Sequence, residues 1–167
     1  MSQNNADQFS SLASLSLDDA YDDFMLSRRA MQCSEATLQW YKFTAGKFVR
    51  WLKEQGLNLA REVFARHVRE YLAMLISQGK VDTTLHDHAR AIKTLLRFWH
   101  SENYIPAPVT FAMPKLANKR LPSLSADELE AVIKACISVR DKTLVLLLAD
   151  TGLRRSEVVA LNWVDLT

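Results

Sequence analysis

A short run near the C-terminal end of the sequence carries the residues best suited to chemistry. Arg154 and Glu157 follow an apolar, helix-forming stretch that Gly152 interrupts. Because glycine ends a helix readily, the next helix should begin abruptly and hold Arg154 at a fixed position. A guanidinium group there can bind two oxygens of a phosphate, and Glu157, three residues on, can pair with it and orient it. The structural alternative is a buried Arg–Glu pair without a ligand.

Two predicted helices carry polar side chains at helical spacing. On the fourth helix, five side chains that can donate hydrogen bonds to phosphate fall on one face; they are Thr83, His86, Arg90, Lys93 and Arg97. A matching stripe on the second helix, with Lys47 close by, contains Gln39, Lys42, Gly46, Arg50 and Lys53. Two basic faces on neighbouring helices could clamp a DNA duplex, because phosphate contacts need cations on a rigid frame. The alternative is that both are ordinary solvated faces.

The distribution of charge is more informative than the net charge of +2. Residues 61–120 contain ten basic and five acidic side chains, whereas residues 1–60 contain six and seven and residues 121–167 contain five and seven. A basic segment between two nearly neutral ones favours a polyanionic partner, although uneven charge is also common on ordinary surfaces. With 49% apolar residues and only four glycines and four prolines, the composition is typical of a helix-rich globular protein.

Four amphipathic helices are predicted between residues 16 and 102. Ser16 and Ser34 should cap the first two, because their hydroxyls can accept hydrogen bonds from the first helical turn. The predicted bounds are 16–30, 34–56, 62–78 and 82–101. The side chains predicted to face the core are Leu17, Tyr21, Phe24, Met25, Leu38, Tyr41, Ala45, Phe48, Val49, Leu52, Phe64, Val68, Tyr71, Leu72, Leu75, Leu85, Ala89, Ile92, Leu95, Leu96 and Trp99.

The segments on either side of these helices differ in composition. Residues 1–15 are rich in serine, asparagine and glutamine, which predicts a disordered tail. Residues 103–124 contain all four prolines together with Lys115, Lys119 and Arg120, which predicts an extended basic linker.

Residues 125–167 are predicted to begin a second domain. Ser125 should cap a short amphipathic helix. The nearly all-apolar helix that follows, over residues 139–150, should be buried on most sides. A short helix is expected over residues 154–161, and residues 163–167 have the composition of a strand.

Several other chemistries are disfavoured. His86 and His88 are two residues apart on a helix, so they point away from each other and cannot share a metal ion. The longest apolar run, residues 144–149, is too short to cross a membrane, and the N-terminus does not resemble a signal peptide. Cys33 and Cys136 are expected to be reduced thiols. We therefore expect a cytoplasmic protein with no metal and no membrane partner.

The four tyrosines are not placed as nucleophiles. Tyr41 and Tyr71 lie on predicted core faces, Tyr21 lies in the apolar stripe of the first helix, and Tyr104 begins the linker. None is predicted to lie beside a general base, so core packing is the better interpretation of the first three.

Residues 150–165 read Asp-Thr-Gly-Leu-Arg-Arg-Ser-Glu-Val-Val-Ala-Leu-Asn-Trp-Val-Asp. The run T-G-L-R-x-S-E followed by L-x-W-x-D resembles the segment around the first catalytic arginine of tyrosine recombinases, the phage-integrase family. Upstream, residues 121–125 with Glu128 resemble that family's entry into its catalytic domain, and Thr84–Phe98 resembles its last core-binding helix. The resemblance covers nearly the whole chain after the tail.

The resemblance implies a mostly α-helical fold, with a four-helix core-binding domain of the SAM-like type over residues 16–102 and the first helices of an incomplete integrase catalytic domain. Arg154 would be the first catalytic arginine and Glu157 its orienting partner, with no metal or cofactor. The implied partners are double-stranded DNA and other recombinase protomers on that DNA. The candidate DNA-binding residues are Lys42, Lys47, Arg50, Thr83, Thr84, His86, Arg90, Lys93, Arg97, Lys115, Lys119 and Arg120.

In that family a tyrosine hydroxyl attacks the DNA phosphate to give a 3′-phosphotyrosyl intermediate, and two arginines stabilise the developing charge. A lysine and histidines assist proton transfer. Only Arg154 has a counterpart among these groups, and the sequence ends 13 residues later. We therefore expect DNA binding as part of a site-specific recombinase, without cleavage by this chain alone. The alternative is a non-catalytic helical regulator or protein-interaction module.

Overall fold

The computed structural model describes residues 15–116 and 123–166. In these residues the chain is mostly α-helical, which confirms the predicted fold class. The α-helices are α1 (Leu17–Ala30), α2 (Glu35–Glu54), α3 (Ala65–Ser77), α4 (Asp82–Ser101), α5 (Ala126–Ala135), α6 (Val139–Thr151) and α7 (Arg155–Ala160). Short 3-10 helices cover Ala60–Glu62 and Trp163–Leu166. The described residues form two compact units, 15–116 and 123–166.

Ser16 and Ser34 begin the first two helices as predicted. Their hydroxyls accept hydrogen bonds from the backbone N–H groups of Asp19 and Thr37, at 3.1 and 3.3 Å. These contacts satisfy donors that the first turn of a helix leaves without partners. α1, α2 and α4 end within two residues of their predicted ends. Residues 1–14 of the predicted tail lie outside the described residues.

The start of α3 differs from the prediction, which placed Phe64 on its core face. The Glu62 carboxylate accepts the N–H groups of Asn58 and Leu59, both at 3.0 Å, and so closes a separate 3-10 turn. Phe64 then precedes α3 in extended conformation, and its N–H donates to Nδ1 of His67 at 3.1 Å. Because Phe64 lies outside the helix, the helical period does not apply to it, and its side chain is exposed.

α4 is the central helix of the first unit and packs against α1, α2 and α3. Trp99, near its end, is fully buried, and its indole N–H donates to the carbonyl of Ala20 on α1 at 2.9 Å. Phe24, Phe48 and Tyr71 bring large aromatic side chains from the other three helices into the same core. Burial of several large rings is the main favourable term in a unit of this size.

The chain that follows α4 stays on the surface of this unit. Tyr104 is buried, and its hydroxyl donates to the carboxylate of Asp23 on α1 at 2.7 Å. Ile105 is also buried, and Val109 and Phe111 pack against the core from partly exposed positions. The first half of the segment with linker composition is therefore fixed to the helices by apolar contacts.

The second unit consists of short helices with little buried surface. α5 begins at Ser125, whose hydroxyl and N–H both contact the carboxylate of Glu128. α6 forms as predicted, but the expectation that it is buried on most sides is wrong for this unit, because Leu144, Leu146 and Leu148 are all 37–40% exposed. α5 packs against α6, and one short neighbour cannot enclose an apolar helix of this length.

The prediction of a strand over residues 163–167 is wrong for the part of this segment that the structure describes. Trp163–Leu166 is a 3-10 helix, in which the Asp165 carboxylate accepts the N–H of Asn162 at 2.8 Å. A strand needs a neighbouring strand to pair its backbone groups, and this local contact satisfies one of them instead. Over the described ranges, no helix has the length and hydropathy needed to cross a membrane.

Candidate nucleic-acid interface

The polar stripe predicted on α4 lies on one exposed side of that helix. Thr83, Arg90, Lys93 and Arg97 are exposed and His86 is half-buried. The opposite side of α4 is packed into the core. The stripe is therefore available to a partner along the whole length of α4.

Several residues of the stripe predicted on α2 face the neighbouring helix α1. Lys53 forms an ion pair with Asp18 of α1. The ring of Tyr21 lies against Gly46 so closely that a Cβ there would be 2.8 Å from the tyrosine oxygen. Lys42 lines the groove between α1 and α2. These residues consequently face α1, and they do not continue the α4 stripe.

A different part of α2 lies beside α4. Lys47 and Arg50 of α2 line a cleft of about 440 Å³ together with Thr84 of α4 and Lys80, which precedes α4. Lys47, Arg50 and Lys80 are exposed cations. The structure thus brings Lys47, Arg50 and Thr84 together, as a shared DNA-binding role would require, and it adds Lys80.

Two aromatic side chains beside these cations, Phe43 at the cleft and Trp40 one helical turn earlier, were not predicted as part of the site. Phe43 is exposed, and Nζ of Lys47 lies 3.8 Å from the centre of its ring. The guanidinium group of Arg90 lies 5.6 Å from the ring centre of Trp40, which links α4 to α2. Cations over aromatic rings are attracted by the ring quadrupole, so both basic groups are held in defined positions. In the sequence, Phe43 could have been assigned to this surface from its position one helical turn before Lys47 and two before Arg50.

We use the term "α2–α4 face" for this surface. It consists of five residues of the cleft, Phe43, Lys47, Arg50, Lys80 and Thr84, and of the Trp40–Arg90 contact, which lies in a separate hollow one helical turn earlier on α2.

The floor of the cleft is a buried pair of polar side chains. Nδ1 of His88 and the hydroxyl of Tyr71 are 3.0 Å apart and form a hydrogen bond. Burial lowers the pKa of His88, and the nearby Lys47 charge lowers it further. Burial raises the pKa of Tyr71. Both groups are therefore neutral at pH 7, and His88 is a core residue that turns away from His86 on the α4 surface.

The basic residues at the end of α4 lie beside the segment that follows it. Lys93, Arg97 and His100 line a second cleft, of about 300 Å³, whose other wall is residues 108–111. Lys115 is exposed four residues beyond this wall. Lys119 and Arg120 lie outside the described residues, so the structure does not place them.

In the second unit, Arg154 and Glu157 are in direct contact. Gly152 ends α6 with a left-handed conformation (φ 66°), which favours glycine. Arg154 then precedes α7, and its N–H and guanidinium group donate to the two carboxylate oxygens of Glu157 at 2.6 and 3.1 Å. The Arg154 side chain is 83% exposed. The pair is thus formed as predicted, on the surface, with a guanidinium group that a phosphate can reach.

The tyrosines of the first unit are poorly suited to nucleophilic attack. Tyr41 and Tyr71 are buried, which confirms their predicted place in the core. Burial raises the pKa of Tyr21. Burial and the hydrogen bond to Asp23 raise the pKa of Tyr104 to about 12, so its hydroxyl proton is held by a carboxylate that already has a structural role.

The first unit has an exposed basic face, and a turn in the second unit presents Arg154. Known proteins with similar sequences identify the class of protein to which these features correspond. The chain is similar to members of the tyrosine recombinase family over most of its length. It is 32% identical over 154 residues to tyrosine recombinase XerD of Shewanella oneidensis, covering 86% of this chain and 49% of that protein. It is 30% identical over 152 residues to tyrosine recombinase XerD of Oceanobacillus iheyensis, covering 87% of this chain and 51% of that protein.

A third relative, tyrosine recombinase XerC of Staphylococcus haemolyticus, is 29% identical over 140 residues, covering 80% of this chain and 47% of that protein. No protein-family model matches the chain. The chain spans about half the length of the curated relatives that it matches.

Proposed function

We propose that this chain binds double-stranded DNA as part of a site-specific tyrosine recombinase, with the first unit holding the duplex and Arg154 contacting a phosphate in the complete enzyme. The observation that carries the proposal is the α2–α4 face, where the exposed cations Lys47, Arg50 and Lys80 line one cleft. Arg90 of α4 lies against Trp40, one helical turn before Phe43 on α2. A rigid set of cations of this kind suits the regular charge of a phosphate backbone. Glu157 keeps Arg154 oriented and compensates its charge when no DNA is bound.

The similarity to tyrosine recombinases supports the same proposal independently of the α2–α4 face. The relatives that the chain matches are named as tyrosine recombinases, and recombination requires a DNA substrate. Such a protein works where the DNA is, and we therefore expect this chain in the cytoplasm. Other recombinase protomers on the same DNA are the second expected partner.

Binding to a labelled duplex should depend strongly on salt. Six exposed cations on or beside the α2–α4 face, Lys47, Arg50, Lys80, Arg90, Lys93 and Arg97, can reach phosphates. Each phosphate contact contributes about 0.9 to the slope of log affinity against log salt. We expect a slope between about −3 and −5, measured by fluorescence anisotropy from about 50 to about 200 mM salt.

The matched control for this titration is Lys42→Gln, because Lys42 faces α1 and should leave the slope unchanged. Lys47→Gln removes the same charge from the cleft and should make the slope shallower by about 0.9. Absence of binding at the lowest salt concentration would contradict the proposal. Equal effects of the two substitutions would show that only the net charge matters.

The purified chain should not become covalently attached to DNA. Attack on phosphorus needs a tyrosine hydroxyl beside a group that accepts its proton. Tyr41 and Tyr71 are buried, Tyr104 is bonded to Asp23, and the enclosed hydroxyl of Tyr21 has no hydrogen-bond partner among the described residues. A duplex with a trapped nick, analysed on a denaturing gel, should give no protein–DNA band, and Arg154→Ala should leave this result unchanged.

A covalent band would overturn this prediction, and Tyr104→Phe would then test the one tyrosine with a carboxylate partner. Because an interdependent site loses most of its activity with any member, an active chain should also be sensitive to Arg154→Ala.

One observation favours the alternative of a protein-interaction module. The apolar side chains of α6 are partly exposed, and exposed apolar helix faces often contact another protein surface. The salt titration separates the two functions, because a module that binds only protein gives no signal with DNA.

A further inference from the structure

The α2–α4 face contains an apolar ring where a solvated helix face would be polar. Phe43 is 58% exposed. Lys47 and Arg50 follow it at four and seven residues, so all three side chains share one side of α2. The ring centre of Phe43 is 6.3 Å from that of His88 on α4. Phe43 therefore lies at the seam between the two helices, with cations around it.

We propose that Phe43 recognises thymine in the major groove of duplex DNA, through contact with the thymine 5-methyl group. This inference rests on the proposed DNA binding and adds a base preference to it. The major groove admits an α-helix, and the thymine methyl is the apolar group that the four standard bases present there. Phenylalanine is among the side chains that make such contacts.

The positive charges near Phe43 are consistent with a position of the ring in the major groove. A ring at the bottom of the groove would have Lys47 and Arg50 beside it on α2, where they could reach the phosphates that border the groove. Arg90 lies against Trp40, one helical turn before Phe43 on α2. Lysine and arginine at this depth can also donate to guanine O6 and N7. A methyl group in the polar groove is an apolar partner that the exposed edge of this ring can contact.

Stacking on an unpaired base is the other use of an aromatic ring in a basic groove. It is disfavoured here because the Lys47 ammonium group lies over the ring of Phe43 at 3.8 Å. Stacking requires an open ring face, whereas a methyl contact requires only the ring edge. The geometry therefore favours a duplex over a single strand.

The test compares two duplexes of the same A/T-rich sequence, one of which contains deoxyuridine in place of every thymidine. The two differ only in the 5-methyl groups. We expect the full 167-residue chain to bind the deoxyuridine duplex about threefold to fourfold more weakly at low salt, the effect of one buried methyl contact. Phe43→Ala should bind both duplexes equally, and Phe43→Leu, which keeps an apolar side chain, should retain the preference.

Phe64→Ala is the matched control, since Phe64 is similarly exposed but lies at the start of α3, beside residues 105–110. This variant should keep the preference for thymine. Circular dichroism should show all variants folded, because the substituted side chains are at the surface.

The outcomes separate this inference from the proposed function. Equal binding of both duplexes by the unmodified chain overturns the thymine contact and leaves DNA binding intact. A preference that survives in Phe43→Ala overturns the role of Phe43, and tighter binding of single-stranded DNA overturns the choice of a duplex. Binding to no DNA at all overturns the proposed function itself.

Discussion

Reversing the charge of Arg90 and Lys93 together should weaken duplex binding about a hundredfold at low salt. Two unit charges in contact interact by about 1 kcal/mol in water. The double substitution to glutamate removes two attractions and adds two repulsions, and screening by salt reduces the sum. The weakening should be similar for unrelated DNA sequences, because phosphate contacts carry no sequence information. Anisotropy titrations with two different duplexes measure both effects.

The control for this experiment carries the same change in net charge at a different place. Arg29 and Arg69 are exposed on α1 and α3, away from the α2–α4 face, and their reversal should weaken binding far less. Arg90→Glu loses its contact with Trp40, so a decrease in stability of up to about 1 kcal/mol is expected. Normal binding by a folded Arg90/Lys93 variant would show that the α4 stripe is only a solvated surface.

Trp99→Ala should destabilise the first unit by about 3–5 kcal/mol. Trp99 has no exposed surface and occupies the point where α4 meets α1. Its removal leaves a large cavity and deletes the hydrogen bond to Ala20. Since domains of this size are stable by about 5–15 kcal/mol, a substantial fraction of the molecules could be unfolded. Urea unfolding followed by circular dichroism gives the change directly.

Two further substitutions distinguish the cavity from the hydrogen bond. Trp99→Phe keeps most of the volume and loses the indole N–H, so it should cost about 1–2 kcal/mol. Trp51→Ala removes the same type of side chain from a half-buried position on α2 and should cost less than Trp99→Ala. If Trp51→Ala proves as destabilising as Trp99→Ala, the central role assigned to Trp99 is wrong.

The division of the basic residues into separate surfaces changes how DNA-binding variants should be chosen. The helical period placed Lys42, Arg50 and Lys53 on one stripe of α2, yet Lys53 is paired with Asp18. Lys47, which lay beside that stripe, shares a cleft with α4 together with Arg50 of the stripe. Substitutions at Lys47 and Arg90 therefore test the proposed interface more directly than those at Lys42.

Features that depend on neighbours within one helical turn were readable from the amino-acid sequence. Ser16, Ser34 and Ser125 cap helices because each hydroxyl meets a backbone N–H three residues later. The contact between Arg154 and Glu157 has the same local origin. Most of the buried side chains of α2 and α4 followed from their spacing, since one face of each helix must leave water.

Features that depend on the crossing of helices were decided only by the tertiary structure. Tyr104 and Asp23 are 81 residues apart, and Trp99 and Ala20 are 79 apart. The apolar composition of α6 predicts that the helix is buried against other elements, but it does not show which elements surround it. Likewise, a helical period orders the cations around α2, whereas the packing of α1 and α4 against it decides which of those cations share a surface. Local hydrogen bonds and periodicity fix each helix and place Phe43 and Lys47 on one side of α2, whereas only the packing of α4 against α2 brings Arg90 to Trp40.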